Sequence, residues 1–258
     1  MSHHMIEIKN LKYKYPDGHQ ALKGVNLRIL HGESVGIVGA NGAGKSTLLM
    51  HLVGVLFPSE GEIRIGDVPV IKRTLPMIRQ RVGMVFQDPD DQLFMTTVYD
   101  DVAFGPRNYK LPETEVDKLV KYALETVGIL HLMNRPPYKL SGGEKRAAAI
   151  AAVLAMKPDI LVMDEPTSAL DPKSRRRLIE LLRSFSHTKI IAAHDLDMVL
   201  DLCERTIVIK DGEVMADGPT LEIFKDEEML DNCGLEKPLT MQNCPLCGMG
   251  NMSITPLT

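Results

Sequence analysis

The chain has 258 residues with 30 basic and 34 acidic side chains, which gives a formal net charge of −4. This balance argues against general nucleic-acid binding through phosphate electrostatics, and 44% hydrophobic with 25% charged residues is typical of a folded globular protein. The longest apolar run, residues 147–156, is about half of the roughly 20 residues that cross a bilayer. With no secretion signal and only four cysteines, we expect a protein of the reducing cytosol.

Short apolar runs alternate with helical patterns, which predicts an α/β fold with a mostly parallel sheet covered by helices. At the start of the chain, Ile6–Lys9 and Leu27–Ile29 predict a smaller antiparallel β subdomain. Near the end, Asp211 and Gly212 separate two strand patterns and predict a type I′ hairpin. Runs without polar alternation indicate strands buried on both faces; they are Ser34–Val38, Arg81–Gln87, Ile160–Asp164 and Lys189–Ala193.

The middle of the chain, about residues 88–156, has mostly helical patterns, among them Glu113–Val127 and Glu144–Met156. Because strand patterns continue after it, we interpret this part as a helical insert in the α/β core. We assign residues 1–225 to one main domain and residues 226–258 to a C-terminal extension. The extension contains Cys233, Cys244 and Cys247.

A glycine-rich segment between a predicted strand and a predicted helix fits the pattern G-x-x-x-x-G-K-[ST], which binds the phosphates of a nucleoside triphosphate. Glycines allow successive backbone N–H groups to face a phosphate, and the helix start adds further donors. Lys45 supplies a cation for the β- and γ-phosphates, and Ser46 supplies a hydroxyl ligand for Mg²⁺. The alternative is a glycine-rich turn with a surface lysine. The candidate nucleotide-binding residues are Gly39, Asn41, Gly42, Ala43, Gly44, Lys45, Ser46 and Thr47.

Asp164 ends a predicted buried strand and is followed directly by Glu165. Ligands of open α/β sheets bind at the carboxyl ends of the strands, so Asp164 is expected to hold Mg²⁺ and Glu165 to polarise an attacking water. His194 ends the next predicted strand and reaches the same edge. A solvated turn and a structural strand-end histidine are the alternatives.

The segment Leu140–Glu144, sequence LSGGE, begins the Ala-rich helix 23 residues before Asp164. Together with the glycine-rich segment, Gln87, the Asp164–Glu165 pair, Ser168–Asp171 and His194, it resembles the ATP-binding cassette (ABC) ATPases. The order of these motifs covers about residues 6–224 and implies a P-loop NTPase core that binds ATP and Mg²⁺.

The resemblance implies a role for each matching residue. Tyr15, with Tyr13 as a weaker candidate, resembles the aromatic that stacks on adenine. Gln87 resembles the glutamine that contacts the metal and the attacking water, so the metal ligands are Ser46, Gln87 and Asp164 and the catalytic residues are Glu165, His194 and Gln87. Asp171 resembles the aspartate of the loop that crosses between protomers.

The signature residues that the resemblance assigns to a second subunit's site are Ser141, Gly142, Gly143 and Glu144, and among them Ser141 and Gly143 are implied to contact the γ-phosphate bound there. Physical reasoning supports this, because a helix N-terminus that binds anions away from its own phosphate site needs a neighbour's phosphate. The simpler interpretation is a helix cap with a capping box from Ser141 to Glu144. Both interpretations are compatible.

Residues 82–94 and 102–106 resemble the energy-coupling-factor importers, especially cobalt/nickel uptake ATPases; Ala147–Ala148 departs from the larger pair expected there. The resemblance implies an ATPase on the cytoplasmic side of the membrane, peripheral to integral membrane transport subunits, and paired with an identical or paralogous ATPase. A vitamin importer of the same branch and a soluble ABC ATPase unrelated to transport are the alternatives. The cargo is chosen by other subunits.

The segment Asp88–Lys110 is expected to receive helices of a membrane subunit, with Phe94 partly exposed and Val98 and Phe104 packed inside. In the extension, the C-x-x-C pair Cys244 and Cys247 supplies half of a zinc site, with Cys233 as a third ligand or a second copy completing four. Free thiols are the alternative. His3 and His4 are expected to be irrelevant or not native.

Overall fold

The computed structural model describes residues 6–168 and 170–242. Predicted positions outside these ranges are His3, His4, Cys244 and Cys247. Ten strands form in the described ranges: β1 (Ile6–Lys14), β2 (Gln20–Ile29), β3 (Ser34–Val38), β4 (Glu60–Ile65), β5 (Val68–Pro69), β6 (Val82–Val85), β7 (Ile160–Asp164), β8 (Thr188–Ala192), β9 (Arg205–Lys210) and β10 (Glu213–Pro219).

The helices cover both faces of a six-stranded sheet, the larger of the two sheets described below. Within the described residues, none of them combines the length and apolar character needed to span a lipid bilayer. They are α1 (Lys45–Leu52), α2 (Leu75–Arg81), α3 (Val98–Asn108), α4 (Glu113–Thr126), α5 (Gly142–Leu154), α6 (Pro172–Ser184), α7 (Leu196–Leu202), α8 (Thr220–Lys225) and α9 (Glu227–Asn232).

Two sheets organise the fold. The six-stranded sheet has the order β10-β9-β3-β8-β7-β6, in which β9, β3, β8, β7 and β6 run parallel and β10 is an antiparallel edge strand. The four-stranded sheet has the order β2-β1-β4-β5 and is antiparallel. The predicted α/β class, with a P-loop NTPase core and a small antiparallel sheet, is confirmed.

Hydrophobic residues on the two faces of the larger sheet form two clusters. One cluster packs β3 and the other parallel strands against α1 and the antiparallel sheet, with Leu48 and Ile37 buried. The other cluster packs the opposite face against α3–α8, and Leu230 of α9 belongs to it. The strands β3, β7 and β8 are buried along their whole length, as expected for strands covered on both sides.

The predicted strands and helices occur with shifted ends. β3 and β7 have the predicted bounds, whereas β6 is shorter than Arg81–Gln87 because Arg81 ends α2 and residues 86 and 87 leave the sheet. β1 continues to Lys14 through an irregularity around Asn10, whose φ is 47°. The predicted hairpin is confirmed, since Asp211 and Gly212 have φ values of 50° and 82°.

Between β6 and β7 the described chain contains only helical elements. α3, α4 and α5 pack against one another. A short 3-10 turn at Pro89–Asp91 lies between β6 and α3, and two more, at Leu130–Leu132 and Pro137–Lys139, lie between α4 and α5. α5 also packs against β6, so this helical unit is attached to the edge strand of the larger sheet. Its two ends therefore lie beside β6 and β7, the strands that precede Gln87 and Glu165.

Candidate functional site

The predicted site residues follow the carboxyl ends of four neighbouring parallel strands. Ile37 of β3 is in register with Ala192 of β8, Ala192 with Asp164 of β7, and Met163 with Val85 of β6. The loops after these strands therefore start at one edge of the sheet, where open α/β folds bind ligands. This common edge brings Lys45, Gln87, Asp164, Glu165 and His194 around one cavity or its floor.

The glycine-rich segment passes from β3 into α1 with close backbone approach. Gly44 has a φ of 107°, and a Cβ there would lie 2.7 Å from the Ala21 carbonyl oxygen. Only glycine accommodates both the left-handed φ and this approach without strain. Immediately after it, Lys45 starts α1, so the chain places a cationic side chain at the first turn of a helix, where N–H groups favour anions.

Lys45 is mostly buried beneath the glycine-rich segment. Its Nζ donates to the carbonyl oxygens of Gly39 at 2.8 Å and Ala40 at 3.2 Å. Burial lowers the pKa of Lys45, and the charges of Glu165 and Asp164 partly offset this effect. The ammonium is thus held by neutral main-chain oxygens. Triphosphate oxygens are charged and therefore stronger acceptors, so a bound triphosphate would replace these contacts.

Asp164 and Glu165 are adjacent buried carboxylates, 3% and 8% exposed. Burial raises the pKa of both, and for Asp164 a hydrogen bond from Ser46 opposes the rise. Glu165 Oε2 accepts from the His194 N–H at 3.0 Å, while Oε1 is buried without a hydrogen-bond donor among the described residues. Glu165 therefore presents an unpaired acceptor of raised basicity at the floor of the cavity, which suits general-base chemistry.

His194 stands between the cationic and acidic groups of the site. Its Nε2 lies 3.2 Å from Lys45 Nζ and 3.3 Å from Glu165 Oε1. Nε2 is within hydrogen-bond distance of Lys45 Nζ, whereas its approach to Glu165 Oε1 is a close contact without hydrogen-bond geometry. The His194 side chain is 42% exposed, so it reaches solvent-facing ligands as well as Glu165.

The cavity at this edge has a volume of about 710 Å³, within the range of small-molecule sites. The Tyr15 hydroxyl is 3.0 Å from Thr47 Oγ1, which ties the predicted adenine-stacking ring to α1. His19, which the sequence analysis missed, stacks on Tyr15 with centroids 6.4 Å apart and planes 20° apart. The cavity is lined by Tyr15, His19, Ala21, Asn41, Gly42, Ala43, Gly44, Lys45, Ser46, Thr47, Gln87, Glu165, Thr167, Ser168, His194 and Asp195.

The oxygen groups at the base of the cavity fit a hard divalent cation. Asp164 Oδ1 is buried without a hydrogen-bond donor among the described residues, and its carboxylate is joined to the Ser46 hydroxyl. Gln87, which carries an amide oxygen, also lines the cavity. Mg²⁺ prefers such oxygen ligands and is usually held by few protein groups plus phosphate oxygens and water. The predicted set Ser46, Gln87 and Asp164 is therefore compatible with Mg²⁺.

The signature residues Ser141–Glu144 lie outside this cavity. Ser141 caps α5, because its Oγ accepts from the Glu144 N–H at 3.3 Å while Glu144 Oε2 accepts from the Ser141 N–H at 2.8 Å. This is the predicted capping box. Ser141 and Gly142 are exposed, and none of the residues Ser141–Glu144 lines the cavity that contains the chain's own Lys45.

Asp171 is exposed and caps α6. Its carboxylate accepts from the Lys173 and Ser174 N–H groups at 2.9 and 3.1 Å and from Ser174 Oγ at 2.6 Å. These hydrogen bonds lower the pKa of Asp171, with the Ser174 hydroxyl as the largest cause. The predicted contact of Asp171 with a second subunit stays a prediction, as do the assigned roles of the other site residues.

Besides His19, two groups near the site escaped sequence reasoning. Asp195 accepts from Arg175 Nε at 2.6 Å and Nη2 at 2.8 Å, and from Thr167 Oγ1 at 3.3 Å. It thereby joins the loop after Glu165, α6 and the loop after His194. The second group is Arg146, whose position directly after Lys145 in the signature helix gave no indication of its buried contacts.

Three other expectations meet the structure directly. Phe94 is 64% exposed and Val98 is buried, as predicted, but the prediction that Phe104 packs inside is wrong, since it is 40% exposed. Phe104 instead contacts Phe94 edge to face, with centroids 5.0 Å apart. Cys233 is 2% exposed and burial raises the pKa of its thiol. Its suggested role as a third zinc ligand stays a prediction, because Cys244 and Cys247 lie outside the described residues.

Comparison with known proteins agrees with this geometry. The profile of the ABC transporter family matches residues 22–168. A putative ABC transporter ATP-binding protein of Geobacter sulfurreducens is 64% identical over 96% of this chain and 100% of its own length. The energy-coupling factor transporter ATP-binding protein EcfA of Methanothermobacter thermautotrophicus is 49% identical over 92% and 78% of the two chains.

A solved structure is similar over most of the fold. It is cbiO1 of Clostridium perfringens, described as part of the ABC transporter complex cbiONQ. It is 42% identical, with a TM-score of 0.78, and the match covers 89% of this chain and 94% of that one.

Proposed function

We propose a function from one premise: the chain belongs to the ABC transporter family and is an ATPase of that family. In this proposal it is the ATP-hydrolysing subunit of an energy-coupling-factor importer. Its binding and hydrolysis of ATP drive closing and opening of an ATPase dimer that is attached to integral membrane subunits. The observation that supports this most directly is the convergence of Lys45, Asp164, Glu165 and His194 at one sheet edge.

In the proposed reaction, each side chain acts on a different part of the attack on the γ-phosphate. Lys45 and the N–H groups at the start of α1 bind the phosphates, and Tyr15 stacks on the adenine. Glu165 Oε1 takes a proton from the attacking water, and His194 contacts the γ-phosphate beside that water. Mg²⁺, held by Ser46, Asp164 and Gln87, neutralises charge on the phosphates when it is bound.

The second half of the site comes, in this proposal, from a second subunit. Ser141 and Gly143 are the residues expected to donate to the γ-phosphate held by the partner, because the N-terminus of α5 is exposed and does not line the cavity that contains its own Lys45. Loss of the γ-phosphate removes these contacts and lets the two subunits separate. The partner is an identical chain or a paralogue, since this chain contains both halves of the constellation.

The membrane subunits are proposed to dock beside Phe94 and Phe104. These two exposed aromatic rings lie together, and the exposed residues Asp88, Asp90 and Asp91 precede Phe94 by three to six positions in the chain. An apolar centre with an acidic rim suits basic helices on the cytoplasmic face of a membrane protein. This docking would place the ATPase peripherally at the cytoplasmic side of the membrane.

The proposed cargo is a cobalt or nickel ion, with a vitamin as the alternative. The resemblance of residues 82–94 and 102–106 to cobalt/nickel uptake ATPases supports the metal. Purified complexes of this chain with its co-purifying membrane subunits would take up radioactive nickel or cobalt into vesicles in an ATP-dependent manner. Uptake of a vitamin, with no uptake of either metal, would contradict the metal cargo and support the vitamin alternative.

The hydrolytic role is tested with Glu165→Gln, which keeps the side-chain size but removes the base. We expect turnover to fall by about 100-fold or more, the range for loss of a general base, while ATP traps a dimer on size-exclusion chromatography. Glu228→Gln on exposed α9 is the matched control and should retain turnover. Equal ATP hydrolysis by wild type and Glu165→Gln would contradict the proposal.

A further inference from the structure

The signature helix α5 is attached to the loop that contains Gln87 by a buried arginine. Arg146 lies one turn into α5, and its Nη1 donates to the Phe86 carbonyl oxygen at 2.6 Å. Its Nη2 donates to the Gln87 carbonyl oxygen at 2.5 Å. The planar fork of one guanidinium thus holds two successive main-chain carbonyls directly after β6.

The burial of this guanidinium is unusual for a helix surface. Arg146 is 3% exposed, and among the described residues no carboxylate oxygen lies within 4.0 Å of its nitrogens. Burial lowers the pKa of Arg146, and the more distant charges of Asp88 and Asp164 partly offset this. Burying a charge that has only main-chain carbonyls as partners lowers the stability of the fold, so stability does not explain this arginine. A role in positioning the two carbonyls does.

A second side chain crosses the same junction in the opposite direction. Gln92, in the loop after Gln87, donates from Nε2 to the Ala149 carbonyl oxygen of α5 at 2.8 Å. Its Oε1 accepts from the Phe86 N–H at 3.4 Å. Phe86 is therefore held on both its N–H and its carbonyl, once through Gln92 and once through Arg146.

The two ends of this junction belong to different catalytic sites. Gln87 lines the cavity that contains this chain's Lys45, whereas the N-terminus of α5, four residues before Arg146, is directed at the partner's nucleotide under the proposed function. Four residues of helix span only about 6 Å. Gln87, Gly142 and Arg146 also border one cavity of about 530 Å³, together with Ser168.

We infer that Arg146 is a positioning residue that makes the Gln87 loop and the signature segment Ser141–Glu144 move as one unit. A shift of α5 toward the partner's γ-phosphate then moves Gln87 in the chain's own site, so each subunit transmits closure from one nucleotide to the other. This inference rests on the proposed function and adds to it the residue that couples the two sites.

The first experiment compares Arg146→Met with Arg146→Lys and wild type in steady-state ATP hydrolysis. Methionine keeps an unbranched, similarly long side chain without donors, and a misplaced Gln87 loop should lower kcat by about tenfold, within the range for positioning errors. The Hill coefficient for ATP should fall toward about 1 as the sites become independent. Arg146→Lys should restore part of both values, because lysine reaches one carbonyl.

The matched control is Lys145→Met on the neighbouring position of α5. Lys145 pairs with Asp90 at 2.6 Å, but Asp90 is 62% exposed, so this ion pair contributes little and kcat should stay within about twofold. Binding of ATP to the isolated subunit should also be unchanged in Arg146→Met, since Lys45 is untouched. Wild-type kcat and Hill coefficient in Arg146→Met would overturn the inference.

Hydrogen exchange tests the junction without relying on hydrolysis. In Arg146→Met, amides of residues 86–92 should exchange faster, whereas β8 should keep its protection. If Arg146→Met does not fold, Gln92→Met removes the other link from the loop side and should give the same, smaller changes. Unchanged exchange in the folded variant would overturn the inference, while absent hydrolysis in wild type would overturn the proposed function alone.

Discussion

His51 is a titratable side chain that the fold holds away from solvent. It lies on α1 with no exposed surface, its Nδ1 is 2.7 Å from the Thr47 carbonyl oxygen, and its ring contacts Tyr13 edge to face. Burial lowers the pKa of His51, although the nearby main-chain carbonyl oxygens of Thr47 and Phe57 oppose the shift. Because Thr47 also contacts Tyr15, this histidine supports the wall of the nucleotide cavity.

The buried ring predicts a loss of stability in mild acid. The unfolded chain protonates His51 near pH 6.5, whereas the native state keeps it neutral to lower pH, so unfolding takes up a proton. The free energy of unfolding should therefore decrease as pH falls from about 7.5 to about 5.5. Urea denaturation of His51→Asn should have a shallower pH dependence than wild type, even if its stability at neutral pH is lower.

The control for this measurement is His187→Asn, because His187 is exposed beside the end of α6. It should reproduce the wild-type pH dependence. A His51→Asn protein that loses stability as steeply as wild type would assign the acid sensitivity to other groups.

The N-terminus of α5 carries the helix cap, and the proposed function adds a contact with the partner's γ-phosphate; substitutions of Ser141 separate the two. Aspartate and asparagine cap helices as well as serine does, so Ser141→Asp and Ser141→Asn should keep the melting temperature of wild type. A carboxylate facing the partner's γ-phosphate repels it, and Ser141→Asp should lower ATP turnover by about 100-fold or more. The uncharged Ser141→Asn should retain clearly more activity.

Equal turnover in the two Ser141 variants would mean that this helix end does not face a phosphate. A large drop in melting temperature for both would instead mean that the serine hydroxyl is needed for the fold. Thermal unfolding followed by circular dichroism and an ATP hydrolysis assay distinguish these results.

Among the strands and helices, the sequence predicted those whose bounds depend on a local pattern of apolar residues. β3 and β7 match their predicted bounds because a strand buried on both faces is an uninterrupted apolar run. Helix α2 was not predicted, since its seven residues include Pro76 and no side-chain cap marks its start. The exposure of Phe104 was also missed, because α3 is too short to distinguish an inner from an outer apolar face reliably.

The candidate site was predictable where its residues follow strand ends, as Asp164, Glu165 and His194 do. The contacts of Arg146 were not, because they join positions 59 and 60 residues apart through a guanidinium and main-chain carbonyls. Main-chain acceptors exist at every residue, so nothing in the sequence distinguishes the two that Arg146 uses. Such contacts follow only from the packing of α5 against β6.

For the whole molecule, the exposed Phe94–Phe104 pair predicts where the ATPase attaches. Phe94→Ser should leave ATP hydrolysis by the isolated subunit within about twofold of wild type, since the ring does not line the nucleotide cavity. Its affinity for the membrane subunits should fall by about tenfold or more, as expected when an aromatic is removed from the centre of an interface. Co-purification from detergent-solubilised membranes measures this loss.

Met215→Ser is the control for the attachment experiment, because Met215 is an exposed apolar residue on β10, at the opposite edge of the six-stranded sheet from β6. It should keep wild-type affinity for the membrane subunits. If both variants co-purify equally well, the aromatic pair is not the attachment surface.

The backbone of Glu165 has a consequence for how such a chain would evolve. Its φ of 47° lies in the left-handed region, which costs a residue other than glycine or asparagine roughly 1–2 kcal/mol. The buried carboxylate oxygen without a hydrogen bond lowers the stability of the fold further. Glu165 is thus kept for catalysis although it lowers the stability of the fold. In a gene copy no longer selected for ATP hydrolysis, substitution of Glu165 by asparagine or glycine would raise the free energy of unfolding.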